Sequence, residues 1–367
     1  MEQNTLKRRG TGLIGSDAEL ASPGFTLYAP LAGNGRVDLV DLDGEIVHQW
    51  HLPYRPGRHA RILADGSLAY NGATLARAPL FAMWRKYSGG SMARYDHTGA
   101  QLSEIRDDLA HHDAHHYDDG RVLYAAVQPL TGADAARIQG GVPGTEADGI
   151  IWSDVIHEVG PDGAPIWEWR AVEHLDPAKF TLQPHYWREH WPLINSVYPL
   201  DEHTVVASLR SVSAVILIDR RTGVVTELAD RDTVAQQHHA TPLGDGKILV
   251  FDNGTFRTGE SVTYSRVVEI DAVTGEVGWT YQDSPREAFF TPFMGGAQRL
   301  PNGNTLITEA AFGRIFEVTP DRQICWEYVV PSFTEYPDPD TAQVFPGISN
   351  AIFRAYRYRA EELPWLR

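Results

Sequence analysis

The chain has 367 residues, 43% of them hydrophobic, enough for a sizeable core in one large domain or two to three small ones. Its formal net charge of −16 works against nucleic acid and anionic membrane as partners. A lone cysteine, Cys325, excludes an internal disulfide and a cysteine-based metal site, and beside Ile324 and Trp326 it reads as an apolar strand residue. Residues 1–15 carry Lys7, Arg8 and Arg9 with no apolar run after them, and no segment reaches the ~18 apolar residues of a membrane span. The expectation is a cytoplasmic protein.

A hairpin recurs along the chain. An alternating apolar strand runs into Asp or a near equivalent, a Gly turn, and a second strand rich in Trp and Val. The copies are 37–50 turning at Gly44, 92–105 at Gly99, 156–169 at Gly163, 215–228 at Gly223 and 267–281 at Gly275. The last is 315–328, with Arg322 in the Gly place. Successive turns lie 47 to 64 residues apart, the period of a four-stranded propeller blade. The predicted fold is all-β: a six-bladed β-propeller over 25–358, with an extension at 1–24 and a tail at 359–367. The N-terminal strand near 25–29 closes the last blade. In the tail, Trp365 and Leu366 are candidates to dock on a neighbour. The repeated Trp50, Trp167, Trp169, Trp279 and Trp326 read as packing between blades.

Between the outer hairpins lie inner ones, in register when counted back from their turns. They read Arg58-His59-Ala60, His112-Asp113-Ala114, Asn195-Ser196-Val197, His238-His239-Ala240 and Gly295-Gly296-Ala297, with Ser349-Asn350-Ala351 as a faint sixth. A small residue at one fixed place suits strands packed around an axis. The first residue of each triplet is then expected at one mouth of the central channel, joined by Arg210 and Asn253 from the second strands. Long connections at 131–152 and 172–194 cover that mouth like lids, and the second brings His190 and Trp187. Alternation points His112 and His116 one way, Asp113 and His115 the other.

Imidazole suits proton transfer, covalent attack or metal ligation, and guanidinium suits sulfate, phosphate or carboxylate. Any one strand histidine is more often a structural group held in a polar network; several converging on one mouth point to a site. No Gly-rich phosphate loop stands between a strand and a helix, and no Gly-x-Ser-x-Gly elbow is present.

Several segments resemble the bacterial arylsulfate sulfotransferase family of six-bladed propellers. They are His111-His112-Asp113, Asn195-Ser196-Val197, Ser208-Leu209-Arg210, Gln237-His238 and Phe251-Asp252-Asn253-Gly254. Ser265-Arg266 with Glu269, and the run from Gly296-Ala297-Gln298-Arg299 to Asn304-Thr305-Leu306-Ile307, complete the match. The resemblance spans roughly 34–331. It implies that His238 attacks the sulfur of an aryl sulfate and passes the sulfuryl group to a phenol, with no metal or nucleotide required. It makes Asn195 and Arg210 holders of the sulfuryl oxygens and His112 an oxyanion partner or general acid/base. The family's histidine two places before Asn-Ser is Leu193 here, with His190 nearby.

Candidate catalytic residues are therefore His238, His112, Arg210 and Asn195; candidate substrate-binding residues are Arg58, His59, His239, His190, Asn253 and Trp187. The expected partner is a small aromatic or anionic substrate. A second reading is a lyase or hydrolase acting on a small organic acid, assisted by a metal ion on His112, His116 and His238. A third is a propeller that binds a partner without catalysis.

Overall fold

The computed structural model describes residues 10–366; Lys7, Arg8 and Arg9 lie outside them. Six antiparallel sheets stand in a ring as a six-bladed β-propeller. Blade 1 comprises Pro56–Ile62, Leu68–Ala73, Gly90–Tyr95 and Gln101–Arg106, from the axis outward. Blade 2 comprises Ala110–His116, Val122–Leu130, Ile151–Val159 and Pro165–Arg170. Blade 3 follows as Ile194–Pro199, Thr204–Leu209, Ala214–Asp219 and Val225–Ala229. Blade 4 is His238–Pro242, Lys247–Asp252, Arg266–Asp271 and Val277–Tyr281. Blade 5 is Gly296–Arg299, Thr305–Glu309, Arg314–Val318 and Ile324–Val329. Blade 6 closes the ring: the C-terminal strand Ile352–Tyr358 lies innermost, beside Phe25–Pro30, Arg36–Val40 and Ile46–His51.

The turn chemistry explains the repeat. Asp41, Asp96, Asp219 and Asp271 each accept backbone N–H groups of their own turn through Oδ1. At Gly44 and Gly99 the backbone takes φ of 82° and 87°, which a Cβ would oppose.

Adjacent blades are fastened by tryptophan. Nε1 of Trp50 donates to Asp96 O, of Trp169 to Gly223 O, of Trp279 to Pro320 O and of Trp326 to Leu42 O. Each bond runs from the fourth strand of one blade to the outer turn of the next. Trp326 thus ties blade 5 to blade 6, across the junction where the chain's two ends meet.

Two additions go beyond the sequence-based expectation. Gly12–Ser16 forms a fifth strand on the edge of blade 5, antiparallel to Ile324–Val329. Trp365 is used within the chain: its Nε1 donates to Gly66 O and its ring stacks on His97. The two long connections meet each other, Gly140–Val142 pairing in parallel with Leu182–Trp187. Among the described residues, no helix is long and apolar enough to cross a membrane.

Trp326→Phe keeps most of the buried ring and removes one bond across the closure. It should lower unfolding free energy by about 1 kcal/mol in urea titrations; an unchanged midpoint would show that the latch contributes nothing.

Candidate active site

The innermost strands are not regular. Register slips occur at their mouth ends, between Pro56 and Ala60, opposite Ala125 in blade 2, between Ile194 and Ser196, and between His238 and Thr241. Blade 6 slips in the same way opposite Tyr28–Pro30. His112, His239 and Met294 adopt left-handed φ of 48°, 50° and 62°. Bulges of this kind re-aim side chains, and here they break simple alternation so that successive residues stack in layers along the axis.

The first layer faces one mouth. Arg58, His112, His238 and Phe353, with Arg210, Tyr87, Lys86 and Met294, line an inner cavity of about 120 Å³. No lining residue of this cavity is a carboxylate. Nδ1 of His238 lies 2.7 Å from Asn253 Oδ1. The Asn253 amide donates to Thr291 O and Met294 O, which fixes its Oδ1 as an acceptor. His238 therefore carries its proton on Nδ1 and presents an Nε2 lone pair, met at 3.2 Å by the Met294 N–H. Burial, and then the charge of Arg210, holds the His238 pKa well below its ordinary value, so the imidazole is neutral.

His112 stacks on Tyr87 with ring centres 4.3 Å apart, and its Nδ1 lies 2.9 Å from His111 Nδ1. Burial, then Arg58, depresses its pKa well below the usual imidazole value. Arg58 is buried, packs over Phe353 and Tyr87, and makes neither an ion pair nor a hydrogen bond to any described residue through its guanidinium; its Nε is fully enclosed. Burial, with Arg55 nearby, pushes its pKa down to about 9, which still leaves it charged at neutral pH. Arg210 bonds the Tyr186 hydroxyl, has an enclosed Nε without a partner, and pairs with no carboxylate among the described residues. A buried guanidinium, Arg58, and a half-buried one, Arg210, both without counter-charge among the described residues, make the cavity a site for an anion.

Arg210, Tyr87, Leu193, Met83 and Phe293 also border a second space of about 350 Å³, so the two are contiguous. Tyr186, Trp187, Phe256 and His185 line its outer part. This vestibule has an aromatic wall and opens toward solvent, with Trp187 47% and Phe256 64% exposed.

The second layer plugs the channel. Asp113 Oδ1 accepts from Arg354 Nη1 at 2.9 Å and from His59 Nε2 at 2.7 Å, and Oδ2 accepts from Val197 N–H at 3.1 Å. Arg354 Nη2 reaches Asn195 O at 3.1 Å. Burial opposes the charge on Asp113, but Arg354 and His59 outweigh it and hold the carboxyl below its usual range. The small third residues offer their N–H groups to the blade before: Val197 to Asp113, Ala240 to Ser196, Ala297 to His239. Beyond the plug, Arg61, Tyr198, His239, Gln298 and Tyr356 line a separate space of about 570 Å³ at the other end.

The expected residues thus divide. His238, His112, Arg210 and Arg58 meet at the inner cavity, and Trp187 borders the vestibule. His59 does not reach the mouth; it belongs to the plug. His239 faces the opposite space and bonds the Ala297 N–H and the Tyr356 hydroxyl. Asn195 is buried with its amide on Gln237 O and does not line the cavity, and Asn253 stands behind His238 as its orienting group. His190 edges the vestibule, bonded to Asp154 and Tyr87 rather than standing beside His238. His116 bonds Asn71 near the plug, so His112, His116 and His238 do not converge on a metal position. The sixth triplet is Phe353-Arg354-Ala355; Asn350 instead donates to Phe312 O and Val330 O. Tyr87, Phe353 and Arg354 were missed, and Ala355 at the small third place is the signal that marks the latter two.

The fold and pocket define a propeller with a histidine- and arginine-lined axial site. The sequence profile described as Arylsulfotransferase (ASST) matches residues 73–330, and the chain belongs to this family. No curated protein matches the chain. Among solved structures, a Bacteroides caccae protein of unknown function is similar at 14% identity and a TM-score of 0.54, covering 92% of this chain and all of that one. Virginiamycin B lyase from Staphylococcus aureus shows 14% identity and a TM-score of 0.46, covering 89% of this chain and 87% of its own.

Arg354→Met leaves Asp113 short of its main counter-charge and should cost about 3–5 kcal/mol in urea unfolding, the usual penalty for breaking a buried pair. A loss below about 1 kcal/mol would show that the plug is not holding the blades. The buried His112, His238 and His239 and the half-buried His115 have depressed folded pKa values and are neutral. The unfolded chain takes up protons first, so stability should fall as pH drops through about 6.5. A urea midpoint that is flat or rises from about pH 7.5 to about pH 5.5 would contradict this assignment.

Proposed function

We propose that the protein is a sulfotransferase that moves a sulfuryl group from an aryl sulfate to a phenolic acceptor through His238. The observation that carries this reading is the conjunction in one cavity of a neutral imidazole with a fixed Nε2 lone pair and two arginines, Arg58 buried and Arg210 half-buried, without counter-anions among the described residues. Family membership supports it.

The sulfuryl group enters the inner cavity, its oxygens facing Arg58 and Arg210, while the aryl ring rests against Tyr87, Phe293 and Tyr186 in the vestibule. His238 Nε2 attacks sulfur, displacing the long Met294 N–H contact. An N–S bond forms, the S–O bond to the aryl group breaks, and the phenolate leaves through the vestibule, taking a proton from solvent. Nδ1–H on Asn253 stabilises the cationic imidazole that results. An acceptor phenol then attacks sulfur, the N–S bond breaks, and the phenol's proton is released to solvent. The charge of the sulfuryl oxygens is met throughout by groups already in place, the form of stabilisation that needs least reorganisation. Arg58 and Arg210 hold those oxygens, and neutral His112 serves as a further partner to them. Asn195, through Gln237 O, helps set the backbone that carries His238.

Steady-state kinetics with a chromogenic aryl sulfate and phenol should be ping-pong. His238→Ala should lower kcat/KM by about 10⁴-fold or more. Arg58→Met should lower it by about 10²-fold, as for loss of one charge-stabilising donor. A His238→Ala enzyme with more than about a tenth of wild-type rate would refute the assignment.

A further inference from the structure

Behind His112, on the side away from the cavity, lies a cluster that the transfer chemistry does not use. His111 Nε2 and His190 Nε2 each stand 3.0 Å from the same oxygen, Asp154 Oδ1. The three ligand atoms lie within 4.8 Å of one another, and all three residues are buried. His190 hydrogen-bonds Asp154 through Nε2. His111 Nε2 is as close to that oxygen and wholly enclosed, but lies off the line of a well-formed hydrogen bond. Two imidazole nitrogens thus converge on one buried carboxylate oxygen with one contact imperfectly made, a geometry that a ligand at the shared centre would complete.

The spacing suits an ion. Nitrogen and oxygen ligands at about 2.0–2.2 Å from a common centre stand roughly 3 Å or a little more apart. The outer atoms are held as metal ligands usually are. Asp154 Oδ2 accepts from the Ile194 N–H at 3.1 Å, His190 Nδ1 meets the Tyr87 hydroxyl at 3.1 Å, and His111 Nδ1 meets His112 Nδ1 at 2.9 Å. The ligands also come from rigid elements. His111 lies on the innermost strand of blade 2 and Asp154 on its third strand, while His190 lies on the short segment His190–Trp191 paired with that third strand.

We propose that His111, Asp154 and His190 bind one divalent transition-metal ion of the zinc class. Two imidazoles and one carboxylate match that class, and three protein ligands leave one position for water. The ion would act on the cavity through proton placement. With His111 Nε2 on the metal, its proton sits on Nδ1 and is donated to His112 Nδ1. Neutral His112 then carries its own proton on Nε2, where it becomes a hydrogen-bond donor. His190, ligated through Nε2, likewise turns its Nδ1–H toward the Tyr87 oxygen. The site is thus a tautomer lock on the wall of the pocket, and its existence does not rest on sulfuryl transfer.

The test is metal binding by the full chain. Protein dialysed against Zn²⁺ and desalted should retain about one ion per chain by elemental analysis. Co²⁺ loading should give visible ligand-field bands that Zn²⁺ abolishes. His190→Gln and Asp154→Asn should weaken Co²⁺ binding by about 100-fold or more, at least the loss expected even for outer-sphere partners. Retention of no stoichiometric ion and no Co²⁺ bands in the wild type would overturn the proposal. So would equal uptake by folded variants, which would place the ion elsewhere. Should neither variant fold, the wild-type Co²⁺ spectrum and ion count decide alone. Aryl sulfate turnover plays no part in any of these readouts.

Discussion

A single carboxylate at the axis, Asp113, sets the organisation of this propeller. It draws Arg354 from blade 6 and His59 from blade 1 onto one oxygen and takes the Val197 N–H of blade 3 on the other. Four of the six blades are thereby joined at one point on the axis. Such a pair gains less from attraction than it loses if broken, because each charge has already been stripped of water. The plug also divides the channel into two spaces that share no lining residue.

That division gives the inner cavity its character. The plug's carboxylate is fully engaged by Arg354 and His59, so its charge is not available to Arg58 or Arg210 above it. The chain is acidic as a whole, with a net charge of −16, yet this cavity is lined by Arg58, Arg210 and Lys86 and by no acid. A buried guanidinium without a partner is costly unless a ligand supplies the charge. Burial first, and then the same guanidinium charge, keeps His238 and His112 neutral. An anion-demanding pocket and an unprotonated nucleophile therefore both follow from burying these groups beside arginines that have no counter-charge.

Much of this was legible in the sequence because turns obey local rules. Asp and Gly spacing placed the blades, and counting back from inner turns placed Arg58, His112 and His238 in one layer. Arg210 followed from the return of the second strand to the same face. The parts that were not legible have physical causes. Alternation assumes a regular strand, whereas bulges at His112 and His239 turn neighbouring side chains into different layers. Hence His59 and His239, next to true cavity residues, serve the plug and the opposite space. The sixth triplet was displaced because Ser349-Asn350-Ala351 imitates the pattern four residues before Phe353-Arg354-Ala355. Tyr87 comes from an irregular connection, where no periodicity marks a side chain's direction. The interblade role of Trp50, Trp169, Trp279 and Trp326 was apparent from their recurrence; their carbonyl partners were not, since these lie on the following blade.

The claim at the centre of the account is that the sulfuryl group is carried on Nε2 of His238. Mass spectrometry of enzyme quenched after brief exposure to an aryl sulfate without acceptor tests it most directly. The account predicts one added SO₃ on the peptide containing His238, discharged when phenol is supplied before quenching. An unmodified peptide at the time when phenolate is already released, or modification of a different residue, would contradict it.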